Sequence, residues 1–549
     1  MMQPSHFRKL CLGKGVKLWG LLGQGSVRAA RSFNAAISPQ ISNARLAVLL
    51  LGLLLVPAAG ESQVLNTIGV TGLRQIAPGL TGSGIYVGQA EAGNPTWEVN
   101  PAAVGQPVSL FTWISTNGSD STFPNGGGFE SGHADTVGNA FYGFSTGVAP
   151  GVSHIDNYEA GHFYSAYVAS SVQVTPVIVN QSYIFGSTGT ANDLDFDNYT
   201  ARFGTLFVNG VGNGGPVSSP ATAYNGIGVG AYGGNTSMGP TTDGRCKPDI
   251  TAPADYTSFS TPLVAGVASL LLQAAKEGAG GSISAATNAL TLKTLLLNGA
   301  MKTADWTNST TYPLDARYGA GIVDAVNSYR LLRGGKQGFT VNTTSTSLAG
   351  HLPPTANTNI YVRRGWDYNT LSSSAAKDSV NHYFFDVSST SRTSFVFTAT
   401  LGWQKGLNQP LASNLDLFLY NVSNNVLVAS SQSTANNVEH IYLPVLPPGR
   451  YDLQVLKSAA GGLPSAEPYA VSWNFGPIEA PRIANATVTN GQFRAQVFGE
   501  PNQRIVVQST TDYQSWTPLS TNNTSWQGVF SFTNAASSSF KVFRAVQLE

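Results

Sequence analysis

From Leu263 to Ala275 the chain is apolar on every side of a helical wheel, with Val264, Ala265, Val267, Leu270, Leu271 and Leu272 spread around the turn. A surface helix carries a single apolar stripe, so a helix that is apolar all round has to be enclosed by other layers of structure. Pro262 suits the first turn, where its missing N–H costs nothing. The Ser and Thr residues from Thr257 to Thr261 are ordinary helix-starting residues. The run therefore predicts a helix that begins near Ser258 and passes through a large core.

The surrounding sequence supplies the layers. Ile85–Ala90, Val177–Asn180 and Gly226–Ala231 read as strands, with helices near His133, Ser258 and Thr291. Alternation of this kind implies an α/β unit with a mostly parallel sheet flanked by helices, expected over residues 63–334. Gly334 to Gly338 reads as a linker. Residues 339–477 form a second expected unit, strand-rich, in which Tyr383–Val387, Ser394–Thr400, Leu415–Tyr420 and Tyr451–Val455 alternate apolar and polar residues between Asn, Ser and Pro-Pro-Gly turns. A third, residues 478–549, is short and again strand-like. The fold class expected is α/β followed by two all-β sandwich domains.

Four segments carry recognisable chemistry. Tyr256-Thr257-Ser258-Phe259-Ser260-Thr261-Pro262-Leu263-Val264-Ala265-Gly266 resembles the nucleophile segment of subtilisin-like serine proteases, G-T-S-x-A-T-P-x-V-A-G. Ser131-Gly132-His133-Ala134-Asp135-Thr136-Val137-Gly138 resembles the histidine segment of the same family, and Gly147-Val148-Ala149-Pro150-Gly151 follows it as the family requires. Gly210-Val211-Gly212-Asn213-Gly214-Gly215 is similar to the segment whose Asn donates to the oxyanion. Upstream, Gly82 to Gly93 resembles the strand of the acidic member, with Glu91 in the acid's place. The order acid, histidine, serine is that of subtilisin. The resemblance implies Glu91, His133 and Ser258 as a triad and Asn213 as oxyanion donor. Asn414 to Tyr420 with Pro447 to Tyr451 resembles the jelly-roll domains appended to bacterial secreted peptidases, and Val507 to Thr517 with Phe543 to Val546 a small β-sandwich module of exported proteins.

The departures from the family pattern are specific. Glu91 stands where the family has Asp and is one methylene longer. Tyr256 replaces a Gly. The segment Gly244 to Pro253 resembles K-P-D-I-x-A-P, yet only Ala254 to Thr257 separate Pro253 from Ser258, where the family has a loop of a dozen or more residues. Each residue also has a plainer reading: His133 as a loop residue, Asn213 as a turn residue between glycines, Glu91 as a solvent-facing carboxylate at a strand end. Asp135 is a second candidate acid, although two positions along a helix it would point away from His133. His154 and Asp156 read as part of an alternating strand, and Cys246 as a small buried residue.

Composition bears on location and partners. Charged residues make up 11% of the chain, against about a quarter in ordinary domains. The net charge of +1 points to no nucleic acid and no strongly charged partner. Arg45, the apolar run Leu46 to Val56 and Pro57-Ala58-Ala59-Gly60 read as a signal peptide closing a long basic leader, residues 1–60. That run is too short for a membrane span of about twenty residues, and the mature chain has no other. Cys11 lies in the leader, leaving Cys246 as the one thiol beyond it. Val64 to Pro78 resembles the short helix that opens the family's catalytic domain, which leaves no room for a propeptide.

The resemblance therefore implies a secreted or cell-surface bacterial serine endopeptidase acting on proteins or peptides. It requires no cofactor. Structural calcium is common in the family, but no ligand loop stands out and no metal residue is assigned. The alternative that the departures leave open is a subtilase-fold extracellular binding or adhesion protein with weakened catalysis. Substrate preference and oligomeric state are not legible.

Overall fold

The computed structural model describes residues 59–549 except 187–190, 346–351, 357, 361, 373–377, 389–393, 458–465, 478–480, 500–503, 525–528, 537–540 and 548–549. All but the last two residues of the expected leader, and Cys11, thus lie outside the described residues. The first described elements are two short helices, α1 (Ala59–Thr67) and α2 (Val70–Ile76). The expected single opening helix is split at Gly69, whose φ of 74° is left-handed and whose missing Cβ leaves room for Asp324 Oδ1.

Eight strands then form one sheet: β1 (Tyr86–Glu91), β2 (Phe111–Ser115), β3 (Gly118–Asp120), β4 (His154–Glu159), β5 (Ile178–Gln181), β6 (Leu206–Gly210), β7 (Ile227–Tyr232) and β8 (Ile250–Pro253). Their order across the sheet is β8-β7-β6-β5-β1-β4-β2-β3. All pairs are parallel except β2 with β3. The central strands are buried along nearly their whole length, as strands covered on both faces must be. The covering helices that matter here are α3 (Gly132–Tyr142), α4 (Ala191–Phe203), α5 (Thr257–Lys276), α6 (Ala289–Gly299) and α7 (Ala325–Arg333).

Helix α5 is the enclosed cylinder expected from its sequence. Every residue from Ser260 to Ala275 is buried, and the helix packs against α3 and against strands β5 to β8. Burying a Leu or Val side chain contributes roughly 1.5–3 kcal/mol, so this one element anchors the core. It is also the one helix among the described residues long and apolar enough to cross a membrane, a property its burial in protein accounts for.

The second unit is a pair of facing antiparallel sheets. Its strands are β9 (Val341–Ser345), β10 (Arg364–Ser372), β11 (Asp378–Asp386), β12 (Phe395–Trp403), β13 (Leu415–Asn421), β14 (Val426–Ser431), β15 (Val438–Leu446), β16 (Arg450–Lys457) and β17 (Ala466–Pro477). They are arranged β9-β11-β16-β13-β14 and β10-β17-β12-β15. Phe385, Phe397, Trp473, Phe475, Leu417 and Leu453 meet between the sheets. Six further strands, from Arg482–Thr489 to Val542–Gln547, make two three-stranded sheets closed over Val497, Ile505, Val507 and Phe532.

The expected linker is not a free tether. Gln337 N–H donates to Trp366 C=O at 2.7 Å, Lys336 N–H to Gly280 C=O at 3.1 Å, and Trp366 itself is buried in the core of the α/β unit. Beyond the linker, the four-stranded sheet rests on α6. Thr400 Oγ1 donates to Asn298 Oδ1 at 3.0 Å and Ser472 Oγ to Thr294 C=O at 3.3 Å.

A loop before β13 is pinned more tightly. Lys405 is buried and its ammonium pairs with Asp197 Oδ2 on α4 at 3.0 Å. Its backbone N–H and C=O are both held by the Asn225 side chain, at 2.8 and 3.0 Å. Burial pushes the Asp197 carboxyl up against the opposing pull of Lys405. Removing one member of such a pair strands the other charge in a dry site. Lys405→Met in the full chain is therefore expected to lose on the order of 3–5 kcal/mol of stability. Lys405→Met with Asp197→Leu should recover most of that loss. Chemical denaturation of the three chains checks this, and equal stability of the single variant and the parent would remove the pair from the account.

Candidate active site

Strand β1 ends on Glu91 and helix α3 begins at Gly132, so the carboxylate and His133 meet at the carboxyl edge of the sheet, where open α/β sheets place their sites. Glu91 Oε2 accepts from His133 Nδ1 at 2.8 Å. The carboxylate is 1% exposed and the imidazole 41%. The extra methylene of Glu is absorbed without loss of the contact.

The second carboxylate oxygen is also held. Gln89 Nε2 donates to Glu91 Oε1 and to Ala134 C=O, both at 2.9 Å, and Tyr142 Oη donates to Gln89 Oε1 at 2.5 Å. Gln89 and Glu91 are two apart on one strand and so share a face. A chain of hydrogen bonds runs from Tyr142 through Gln89 and Glu91 to His133. Burial pushes the Glu91 carboxyl up, and its bonds to His133 and Gln89 pull the other way. The hydrogen bond to Glu91 lifts the His133 imidazole above its ordinary value, ahead of the opposing effect of burial.

Ser258 is the second residue of α5. Tyr256, two residues before it, has an extended backbone (φ −138°) that any residue adopts, so Tyr is accommodated before Thr-Ser. Phe259 lays its ring 5.8 Å from the His133 ring, which brings the start of α5 beside the imidazole. Ser258 Oγ donates to Ser182 C=O at a long 3.4 Å, and Ser182 Oγ to Ser258 C=O at 2.8 Å. Among the described residues no hydrogen bond joins Ser258 to His133. The hydroxyl must leave its weak partner on Ser182 to reach the imidazole, and such bonds commonly tighten only when substrate is bound.

Asn213 caps α5 from outside the helix. Thr257 N–H and Oγ1 both donate to Asn213 Oδ1, at 2.8 and 2.9 Å. Asn213 lines the small cleft that Ser182, Gly210, Gly212 and Ser258 also line. The Ser258 N–H belongs to the first turn, whose amides have no partner within the helix. The loop presenting Asn213 is clamped by Ser237. Ser237 N–H donates to Gly212 C=O at 2.7 Å, and a Cβ on Gly212 would lie 2.8 Å from Ser237 Oγ at a φ of 102°. Only glycine fits there.

The arrangement thus brings together Glu91, His133, Ser258 and Asn213. Asp135 goes elsewhere: its Oδ1 accepts from Asn100 N–H at 2.7 Å, and burial lifts its carboxyl to about 6. His154 and Asp156 lie on β4 and pair with each other at 3.3 Å. Cys246 is buried, which pushes its thiol up to about 11. Gln89, Tyr142, Ser182 and Ser237 are not anticipated from sequence. Gln89 alone carries a signal, its place two residues before the acid on the same strand. Among the described residues no group of three or more His, Cys, Asp or Glu could hold a metal ion.

Comparison with known proteins agrees with this geometry at the level of family. Residues 132–321 match the model of the subtilase family, peptidase S8. That span includes His133, Asn213 and Ser258 and begins after Glu91. No curated protein matches. Similar solved structures include a protease from Pseudoalteromonas arctica PAMC 21717 (17% identity, TM-score 0.33, 46% of this chain and 91% of that one). The PatG macrocyclase domain is another (15%, TM-score 0.36, 48% and 98%). Tripeptidyl peptidase 2 is a third (12%, TM-score 0.31, 76% of this chain), and the chain spans 52% of its length.

The charge arrangement has a measurable consequence. Glu91 favours the imidazolium, so His133 should titrate above the ordinary histidine value in NMR, and Glu91→Gln should lower it. Because the folded His133 pKa is raised, the contribution of its titration to stability is complete below the unfolded value of about 6.5 and fades as pH rises through the folded one. A His133 that titrates below the ordinary value would contradict the pairing.

Proposed function

We propose that this chain, whose residues 132–321 are a subtilase segment, is a serine endopeptidase that works through Ser258, His133 and Glu91. The observation that carries the reading is the 2.8 Å contact between a fully buried Glu91 and a half-exposed His133 beside the first turn of α5. In this reading Ser258 Oγ attacks a peptide carbonyl while His133 Nε2 takes its proton. The new O–C bond forms as the carbonyl electron pair moves to oxygen. That oxyanion is held by the Asn213 amide and the Ser258 N–H. His133 then returns the proton to the departing amine, and water repeats the sequence on the acyl-enzyme. Glu91 does not take up a proton; it fixes the imidazole tautomer and favours its cationic form. The chemistry consumes only water.

The leader reading belongs to the same proposal. A basic start, an apolar run and small residues before Glu61 support export, with the enzyme working outside the cell on protein or peptide substrates. The N-terminal sequence of the exported protein tests that part.

A fluorophosphonate probe should label Ser258, and Ser258→Ala should abolish the labelling. His133→Ala should weaken it strongly, because the hydroxyl loses its base. Folded protein that resists the probe at high concentration would favour a binding or adhesion role instead.

Asn213→Ala should lower kcat by about 10²–10³, the general scale for losing one oxyanion donor, with little change in KM. Because Asn213 also caps α5, the folded state of the variant has to be checked by its denaturation midpoint. A raised KM at unchanged kcat would make Asn213 a substrate contact.

A further inference from the structure

The four-stranded sheet meets the α/β unit through successive cross-strand rows. One row, Trp366, Ser472, Thr400 and His440, runs straight across β10, β17, β12 and β15. It rests on α6 through Thr400 and Ser472. Two residues along each strand, and so on the same face, the next row is Arg364, Asn474, Thr398 and Tyr442. This second row lines a pocket. The opposite wall is the end of α6 with Met301 and Lys302, and α7 at Asn327 and Leu331. The pocket encloses about 840 Å³ with its mouth included, the size of a small-molecule site.

The lining is rich in donors. Lys302 and Arg364 are its charged residues, and no carboxylate lines it among the described residues. Asn298 and Thr398 line it too, at 3% and 8% exposure, and Asn298 Nδ2 and Thr398 Oγ1 are buried with no hydrogen-bond partner among the described residues. The other end of the Asn298 amide is already engaged, because Thr400 Oγ1 donates to its Oδ1 at 3.0 Å. Arg364 Nε donates to Asn474 Oδ1 at 3.1 Å, which steadies a planar fork suited to oxyanions. Lys302 Nζ donates to Ala320 C=O and lies 4.6 Å from the Trp306 ring and 5.6 Å from the Tyr442 ring. Part of Lys302 reaches solvent, yet burial of its ammonium brings it down to about 7. His440, the titratable neighbour on β15, is held neutral by burial and by Lys302 itself. A cation in a dry setting beside donors with nothing to donate to is unfavourable until an anion supplies both the charge and the acceptors.

We propose that this pocket binds a small molecule through an oxyanion, a carboxylate or phosphate group, held by Lys302, Arg364 and the Asn298 amide between the α/β unit and the four-stranded sheet. The site shares no lining residue with the Ser258 cleft, and the inference stands apart from the peptidase reading.

Calorimetric titration of the full chain with inorganic phosphate and with citrate, at ionic strength matched by sodium chloride, tests this. At least one probe should saturate a single site per chain with a Kd of about 1 mM or tighter and raise the denaturation midpoint. Tighter citrate would assign a carboxylate, tighter phosphate a phosphate group. Asn298→Asp keeps the shape of the side chain but replaces the spare donor with a charged acceptor, and Lys302→Met removes the ammonium. Each should weaken binding by about tenfold or more, the scale of a lost hydrogen bond to a charged group. If one of them lowers the denaturation midpoint without ligand, the other decides. Arg482→Gln, at an exposed arginine in the last strand-rich module, should bind as the parent does. Failure of both probes to saturate overturns the inference, as does parent-like binding by the folded pocket variants. Equal weakening in Arg482→Gln would show diffuse attraction to basic residues and overturns it too.

Discussion

The burial of α5 sets the terms for everything around it. A cylinder of Leu, Val and Ala with no polar side has to lie inside the α/β unit, which leaves Ser258 and Phe259 of its first turn only partly buried. That turn has amides without helical partners and needs something outside the helix to meet them. Asn213 meets one, the Thr257 N–H, through its carbonyl oxygen, and it lines the cleft that Ser258 also lines. Packing therefore decides where the serine sits, and hydrogen-bond satisfaction decides how the neighbouring amide points. The candidate chemistry inherits its geometry from these two structural demands.

Glu91 answers to a similar demand. A carboxylate at 1% exposure is costly unless both oxygens are served. His133 serves one and Gln89 the other, with Tyr142 steadying Gln89. The longer acid is tolerated because its partners, and not its length alone, determine where it ends. Asp135, close in sequence to His133, is drawn away by the Asn100 amide.

Much of this is legible in the order of the residues alone. The enclosed helix, the parallel sheet and the order Glu91, His133, Asn213, Ser258 all rest on local patterns: periodicity, glycine placement and short motifs. Strand limits such as Tyr86–Glu91 for the expected Ile85–Ala90 differ by a single residue. What stays hidden depends on contacts between distant parts of the chain. Nothing around Ser182 marks it as a partner of Ser258, 76 positions away. Nothing in a lysine before a β-strand says that it will be buried against Asp197, 208 positions away.

The joint between the α/β unit and the pair of antiparallel sheets has a mechanical consequence for the peptidase proposed above. Its linker is pinned to Trp366, its sheet rests on α6, and Lys405 is locked to α4 and Asn225. A module held this way is a bracket with a fixed angle. Whatever surface it engages would be presented to the Ser258 cleft at one distance and one orientation. Reach along a substrate would then come from diffusion of the whole particle, not from an arm sweeping around an anchor.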